Sequence, residues 1–215
     1  MTTYFRRNLP HYHLPNATYF VTFRLAGSLP FEAVHRLQET YETELRRIDQ
    51  TLSGSQRMNA RQKAQEAHFA RVDSLLDQVL YGPRWLSRAK CAQTVADCIH
   101  ELEPKHYHLH AFCIMPNHVH LLIDQQEIPD PMPRRDGRRY TTLSRTLRLL
   151  KGKSAALCNR ILGRRGAFWQ HESYDHVIRN EPEYRRVLRY ILENPLKAGL
   201  VDEWEQWPYL YVADV

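Results

Sequence analysis

The fold is decided by residues 105–124, KHYHLHAFCIMPNHVHLLID. Two runs rich in apolar, aromatic and β-branched residues, 107–115 and 118–123, flank Pro116-Asn117, a pair suited to a tight turn, and together they predict an antiparallel hairpin. Side chains alternate across a strand, so His118, His120 and Leu122 face one way while Val119, Leu121 and Ile123 face the other. The two imidazoles therefore share a face, with α-carbons about 7 Å apart. Such a pair can hold a divalent cation, although the same alternation also occurs on exposed sheet faces without any catalytic role. His106, His108 and His110 on the preceding strand read as supporting or half-buried polar residues rather than as ligands.

Upstream, residues 17–25 (ATYFVTFRL) have the composition of a first strand, ended by the Gly and Pro of 27–30. Residues 31–81 are rich in Glu, Gln, Arg, Leu and Ala at helical spacing and break at Ser53-Gly54-Ser55, which predicts two helices closed by Gly82-Pro83. A further amphipathic helix is predicted over 86–102, a loop over 124–139, a basic helix over about 141–162, and a partly extended segment in FWQHESYDHVIR (168–179). The last helix is predicted from Glu181 to Glu193, with Asn180 and Glu183 as a capping box, Pro182 in the first turn and Pro195 as its stop. Tyr184, Leu188, Ile191 and Leu192 form its apolar side. Tyr190 and Asn194, one turn apart, fall off that side.

The chain has 215 residues, 43% of them hydrophobic, enough to bury a core as one domain with an embellishment. No run of eighteen apolar residues occurs and the N-terminus carries no apolar segment, so neither a membrane span nor a secretory signal is expected, and a cytoplasmic location is. The four cysteines, Cys91, Cys98, Cys113 and Cys158, form no CxxC pair and suit reduced, buried thiols. The net charge of +6 is unevenly spread: residues 134–165 hold eleven bases against one acid, leaving 19 bases and 23 acids elsewhere. That run is either a phosphate-binding surface or a solvated helix face. Tyr12, Tyr140, Phe168 and Trp169 are the aromatic candidates for stacking on unpaired bases.

Three strings carry a family resemblance: CIMPNHVHLLI (113–123), FWQ (168–170) with YDHVIRNEPEYRRVLRYILENPLKAGLV (174–201), and WEQWPYLY (204–211). Together they resemble the IS200-like single-tyrosine transposases among the HUH endonucleases, and especially the branch of REP-associated tyrosine transposases. The likeness spans the first strand, the hairpin and nearly everything from Phe168 onward. It implies an α+β fold over residues 1–215 as one domain: a central antiparallel sheet with flanking helices, of ferredoxin-like or RNA-recognition-motif-like topology, with a helical insertion over about 31–85 and a basic N-terminal tail over 1–16.

By motif position the resemblance implies that His118 and His120 bind a metal, Mg²⁺ or Mn²⁺, that Asn194 completes the site, and that Tyr190 is the nucleophile. Tyr174 is the alternative nucleophile, and a helical tyrosine taken alone is more often a packing residue. The implied activity is cleavage and rejoining of single-stranded DNA at short REP-like hairpins through a 5′-phosphotyrosine intermediate, without ATP. The basic side chains Arg134, Arg135, Arg138, Arg139, Arg145, Arg148, Lys151 and Lys153 would track the DNA backbone. The tail, with Arg6, Arg7, His11 and His13, would read a single-stranded flank or be a disordered basic end. A catalytically inactive hairpin DNA- or RNA-binding protein and a metal-dependent hydrolase using water are the alternatives. Monomer or homodimer, and a tyrosine acting in cis or in trans, both stay open.

Overall fold

The computed structural model describes residues 3–6, 10–13, 16–78, 81–126, 128 and 141–213. Arg7, Arg134, Arg135, Arg138, Arg139 and Tyr140 lie outside the described residues. The elements run β1 (Thr3–Arg6), β2 (Pro10–His13), β3 (Thr18–Arg24), α1 (Phe31–Thr51), α2 (Gly54–Asp77) and α3 (Ala89–Glu101). They continue with β4 (His108–Ile114), β5 (His118–Asp124), α4 (Thr142–Ile161), β6 (Tyr174–Val177), α5 (Glu181–Lys197) and β7 (Leu210–Val212). The architecture is α+β, built on a five-stranded antiparallel sheet in the order β6-β3-β5-β4-β7.

β3 and β5 pair along their whole length, from Thr18 opposite Asp124 to Arg24 opposite His118. Strand parity then sorts the sheet into two unlike faces. Tyr19, Val21, Phe23, Val119, Leu121 and Ile123 join Val95 and Ile99 of α3 and Leu143 and Leu150 of α4 in one apolar core. Each Å² of apolar surface that this layer removes from water contributes about 25 cal/mol to folding. The opposite face carries Phe20, Thr22, His118 and His120 and is covered by α5.

The caps follow the sequence. Thr141 Oγ1 accepts from the Ser144 N–H at the start of α4. Asn180 Oδ1 accepts from the Glu183 N–H, while Glu183 reaches back to accept from the Arg179 N–H and also meets His176 at 2.8 Å. Each such cap is worth about 1 kcal/mol.

In three places the structure departs from expectation. α5 does not stop before Pro195; it runs on to Lys197, because a missing N–H in the last turn leaves only one carbonyl without its helical donor. Gly199, at φ +64°, then closes the helix, with its N–H donating to the Leu196 carbonyl. The N-terminal residues pair as a hairpin, Thr3 opposite His13, rather than forming a loose tail. β7 is a three-residue strand that pairs with β4, too short to carry a periodic signal.

Residues 27–83, with α1 and α2, form a compact unit of their own; residues 1–26 and 84–215 form the other. Within the helical unit Tyr41 stacks on His68 at 4.6 Å between ring centroids, and Leu45 and Ile48 are buried. The four cysteines are free and buried. Among the described residues no helix is long and apolar enough to cross a membrane.

Candidate functional site

The centre of the site is the histidine pair of β5. Both rings are completely buried, and their Nε2 atoms face each other at 2.9 Å. The outer nitrogens are held as well: His118 Nδ1 lies 2.7 Å from Asn117 Oδ1 in the β4–β5 turn, and His120 Nδ1 lies 2.8 Å from Thr22 Oγ1 on β3. Thr22 is where it must be because the antiparallel register places it directly opposite His120. Burial pushes His118 down to about 3 and holds His120 well below the usual imidazole range, where the neighbouring His118 depresses it further and Asn194 works in the opposite sense. Both rings are therefore neutral at physiological pH, the form in which imidazole donates a lone pair to a metal.

α5 lays its middle turns over this pair. The Tyr190 ring sits 5.3 Å from the His120 ring at 75°, its hydroxyl is buried, and Phe20 meets both rings, edge-on to Tyr190 at 5.8 Å and stacked on His120 at 5.7 Å. One turn on, Asn194 is fully buried, and neither Oδ1 nor Nδ2 has a hydrogen bond of good geometry among the described residues. The buried residues of α5 are Glu183, Ile191, Asn194 and Pro195, so its inward face is more polar than an apolar stripe would have it. Tyr190 borders that face instead of lying away from it, because the helix covers a polar site rather than a greasy one. Beyond the tyrosine, Lys197 Nζ stands 5.3 Å from the Tyr190 ring centroid and pairs with Glu193 at 3.0 Å.

The structure thus brings His118, His120, Tyr190 and Asn194 together within one chain. Tyr174 lies on the same sheet face on β6, buried and packed against Phe20 at 6.2 Å and His176 at 6.5 Å. The buried Asn194 amide beside two convergent neutral imidazoles is a donor set that fits a divalent cation: an amide oxygen for a hard ion, and imidazoles that favour Mn²⁺ over Mg²⁺.

The basic helix sits elsewhere. α4 packs in the layer opposite the histidine pair, and only some of its cations are available to a ligand. Lys151 Nζ donates to the carbonyls of Gln170 (2.8 Å) and His171 (3.0 Å) and to Ser173 Oγ (2.9 Å), latching the segment that leads into β6. Lys153 pairs with Glu101. Arg145 and Arg148 are exposed. His106 lies close enough to Arg145 and Lys105 for both to add to the lowering of its basicity, which is due first to burial. His110 Nδ1 meets the Tyr184 hydroxyl at 3.1 Å, and His108 is exposed.

Phe168 and Trp169 are core residues and not stacking platforms. Phe168 stacks on Trp85 at 5.3 Å, while Trp169 packs edge-on to Phe23 at 4.8 Å and donates from Nε1 to Ser154 Oγ. Thr22, Asn117 and Phe20 were not foreseen as part of the site. Asn117 reads as an ordinary turn residue, and nothing in TYFVTFR announces which strand will lie beside it.

No family model matches the chain. Over 99 residues, 46% of this chain and 55% of the relative, it is 34% identical to a protein of Haemophilus influenzae named "Putative REP-associated tyrosine transposase". Over 103 residues, 48% of this chain and 53% of the relative, it is 27% identical to the "REP-associated tyrosine transposase" of Escherichia coli. The chain spans about half the length of these curated relatives. A solved structure of a REP-associated tyrosine transposase bound to a REP hairpin aligns over 96% of this chain and 80% of that one, with a TM-score of 0.46 and 19% identity.

Proposed function

We propose that the chain, like the curated relatives it resembles, is a transposase of the REP-associated tyrosine type, a nicking and joining transesterase acting on single-stranded DNA beside REP-like hairpins. The observation that carries this reading is the meeting of the Tyr190 ring with His120, 5.3 Å apart, over two imidazole nitrogens 2.9 Å from each other. His118, His120 and the Asn194 amide would hold Mg²⁺ or Mn²⁺, which when bound supplies Lewis-acid polarisation of the scissile phosphate.

The protein's own groups supply the rest. The Tyr190 oxygen attacks phosphorus, a P–O bond to tyrosine forms, and the bond to the 3′ oxygen breaks; that oxygen takes up a proton and leaves as a free 3′-OH. One phosphodiester replaces another, so a second 3′-OH can reverse the step and join strands without ATP. The Lys197 ammonium stands over the face of the Tyr190 ring, where it meets the negative face of the aromatic system and holds the ring in place. Phe20, packed against both rings, keeps the tyrosine in line with the histidines. Because all these groups come from one chain, the reading needs no second subunit.

The test is incubation of the protein with 5′- and 3′-labelled single-stranded DNA carrying a palindromic hairpin, with Mn²⁺. An SDS-resistant protein–DNA adduct that vanishes with chelator is expected. Hairpin binding that is indifferent to chelator, with no strand cut, would replace this reading with that of a non-catalytic hairpin-binding protein.

A further inference from the structure

We propose that the first turn of α5 carries two positioning contacts, Glu183 with His176 of β6 and Tyr184 with His110 of β4, which together fix the roll of the helix on the sheet and so hold the Tyr190 ring over the histidine pair. The role rests on the function proposed above, which makes Tyr190 the nucleophile.

Both contacts are built from polar groups that the fold has taken out of water. On the β6 side, His176 Nε2–H donates to Glu183 Oε1 at 2.8 Å, with the two side chains only 11% and 7% exposed. The second carboxylate oxygen accepts from the Arg179 N–H at 2.9 Å, and the Glu183 N–H is capped by Asn180. One side chain therefore ties the start of the helix both to the strand and to the chain that joins them. On the β4 side, the Tyr184 hydroxyl lies 3.1 Å from His110 Nδ1, and the two rings meet edge-on at 5.3 Å and 83°. His110 is the extra residue of a β-bulge, between Leu109 opposite Ile123 and Ala111 opposite Leu122. A bulge re-aims a side chain that regular pleating would direct elsewhere, and here the ring is brought to α5.

The two contacts straddle the site. In the order β6-β3-β5-β4-β7, the strands that carry Thr22, His118 and His120 lie between the two anchoring strands. Three strand spacings separate β6 from β4, about 14 Å, which is wider than a helix with its side chains, about 10–12 Å across. Glu183 and Tyr184 are adjacent, so they point about 100° apart around the axis and can reach opposite flanks. A helix held on one flank can roll about that contact; held on both, it cannot. Tyr190 follows Tyr184 by about 9 Å along the axis, so the roll set in the first turn is carried rigidly to the nucleophile. At about 6 Å from the axis, a roll of about 10° displaces a side chain by about 1 Å, and a misplacement of that size can cost about 100-fold in rate.

The experiment uses the full chain, labelled single-stranded DNA carrying a palindromic hairpin, and Mn²⁺. Single-turnover rates of adduct formation are set beside hairpin affinity measured in chelator and beside the folded fraction from urea melts. Tyr184→Phe and His176→Leu are each expected to slow adduct formation by at least about 10-fold while affinity stays within about twofold, the pattern of a lost alignment rather than of lost binding. His176→Gln, which keeps an N–H donor for Glu183, is expected to return to within about threefold of the wild-type rate. Wild-type rates in both Tyr184→Phe and His176→Leu, or a loss of rate fully matched by a loss of folded fraction or of DNA affinity, overturns the proposal while leaving the function standing. A wild type that forms no adduct at all overturns the function, and the positioning role falls with it. Tyr184→Phe, which removes a single oxygen atom, decides the matter even where His176→Leu does not fold.

Discussion

Lowering the pH from 7 to 5 should unfold the sheet unit far more readily, and the histidine pair should be the main reason. His118 ionises at about 3 in the folded chain and near 6.5 when unfolded, and His120 shifts the same way; the cause in both is burial first. A depressed histidine contributes stability that is fully present above the unfolded value and is lost as the pH falls from there toward the folded one, because only the unfolded chain takes up the proton. Each unit is worth 1.36 kcal/mol, so from 6.5 to 5 His118 alone removes about 2 kcal/mol, and His120 acts in the same direction. Against a total of roughly 5–15 kcal/mol, this is a large fraction. His106 and His110 shift in the same direction, with burial the leading cause, and add to the slope. Glu183 does not contribute in this window: burial raises it, but His176 and the Arg179 N–H outweigh that, so its stabilisation is lost only below 4.5.

The assay is urea denaturation at pH 7, 6 and 5 followed by tryptophan fluorescence. All four tryptophans, Trp85, Trp169, Trp204 and Trp207, belong to the unit that holds the pair. With a urea dependence near 2 kcal/mol/M, the midpoint should fall by at least about 1 M in the wild type. In a His118→Asn/His120→Asn double variant, most of that pH dependence should disappear. A midpoint unchanged between pH 7 and 5, or an undiminished slope in the double variant, refutes the assignment of two neutral buried imidazoles.

Three further outcomes follow from single contacts. Lys151→Met removes an ammonium that holds two carbonyls and a hydroxyl, and should lower stability by about 2 kcal/mol in urea melts, whereas the exposed Arg145→Met should stay within about 0.5 kcal/mol. Gly82→Ala would place a methyl 2.1 Å from the Gly27 carbonyl oxygen at a φ of +72°, so the melt of the helical unit, read by circular dichroism at 222 nm, should fall by at least about 2 kcal/mol. Lys197→Met takes the cation from over the Tyr190 ring; initial rates of adduct formation should drop two- to fivefold, the equivalent of about 0.5–1 kcal/mol, with DNA affinity measured alongside.

The hairpin and the shared face of His118 and His120 were legible because strand parity needs only local spacing. The start of α5 was legible for the same reason, since Asn180, Pro182 and Glu183 act within one turn. What lay beyond reading was pairing between distant segments. Thr22 meets His120 across 98 positions of sequence, and only the register of β3 on β5 joins them. The charge run showed the same limit: Lys151 counts as a base in composition, yet in the fold its three donors are spent on backbone and Ser173. Phe168 and Trp169 looked like exposed aromatics because their partners, Trp85 and Ser154, come from other elements. The polar inner face of α5 misled the helical wheel, which assumes that the buried side of a helix is apolar.

The most direct test of the central claim is peptide mapping of the covalent protein–DNA adduct. Mass spectrometry should find the 5′-phosphate on the peptide containing Tyr190, Tyr190→Phe should form no adduct, and Tyr174→Phe should still form one. A phosphate on Tyr174, or an adduct that persists undiminished in Tyr190→Phe, would contradict the account.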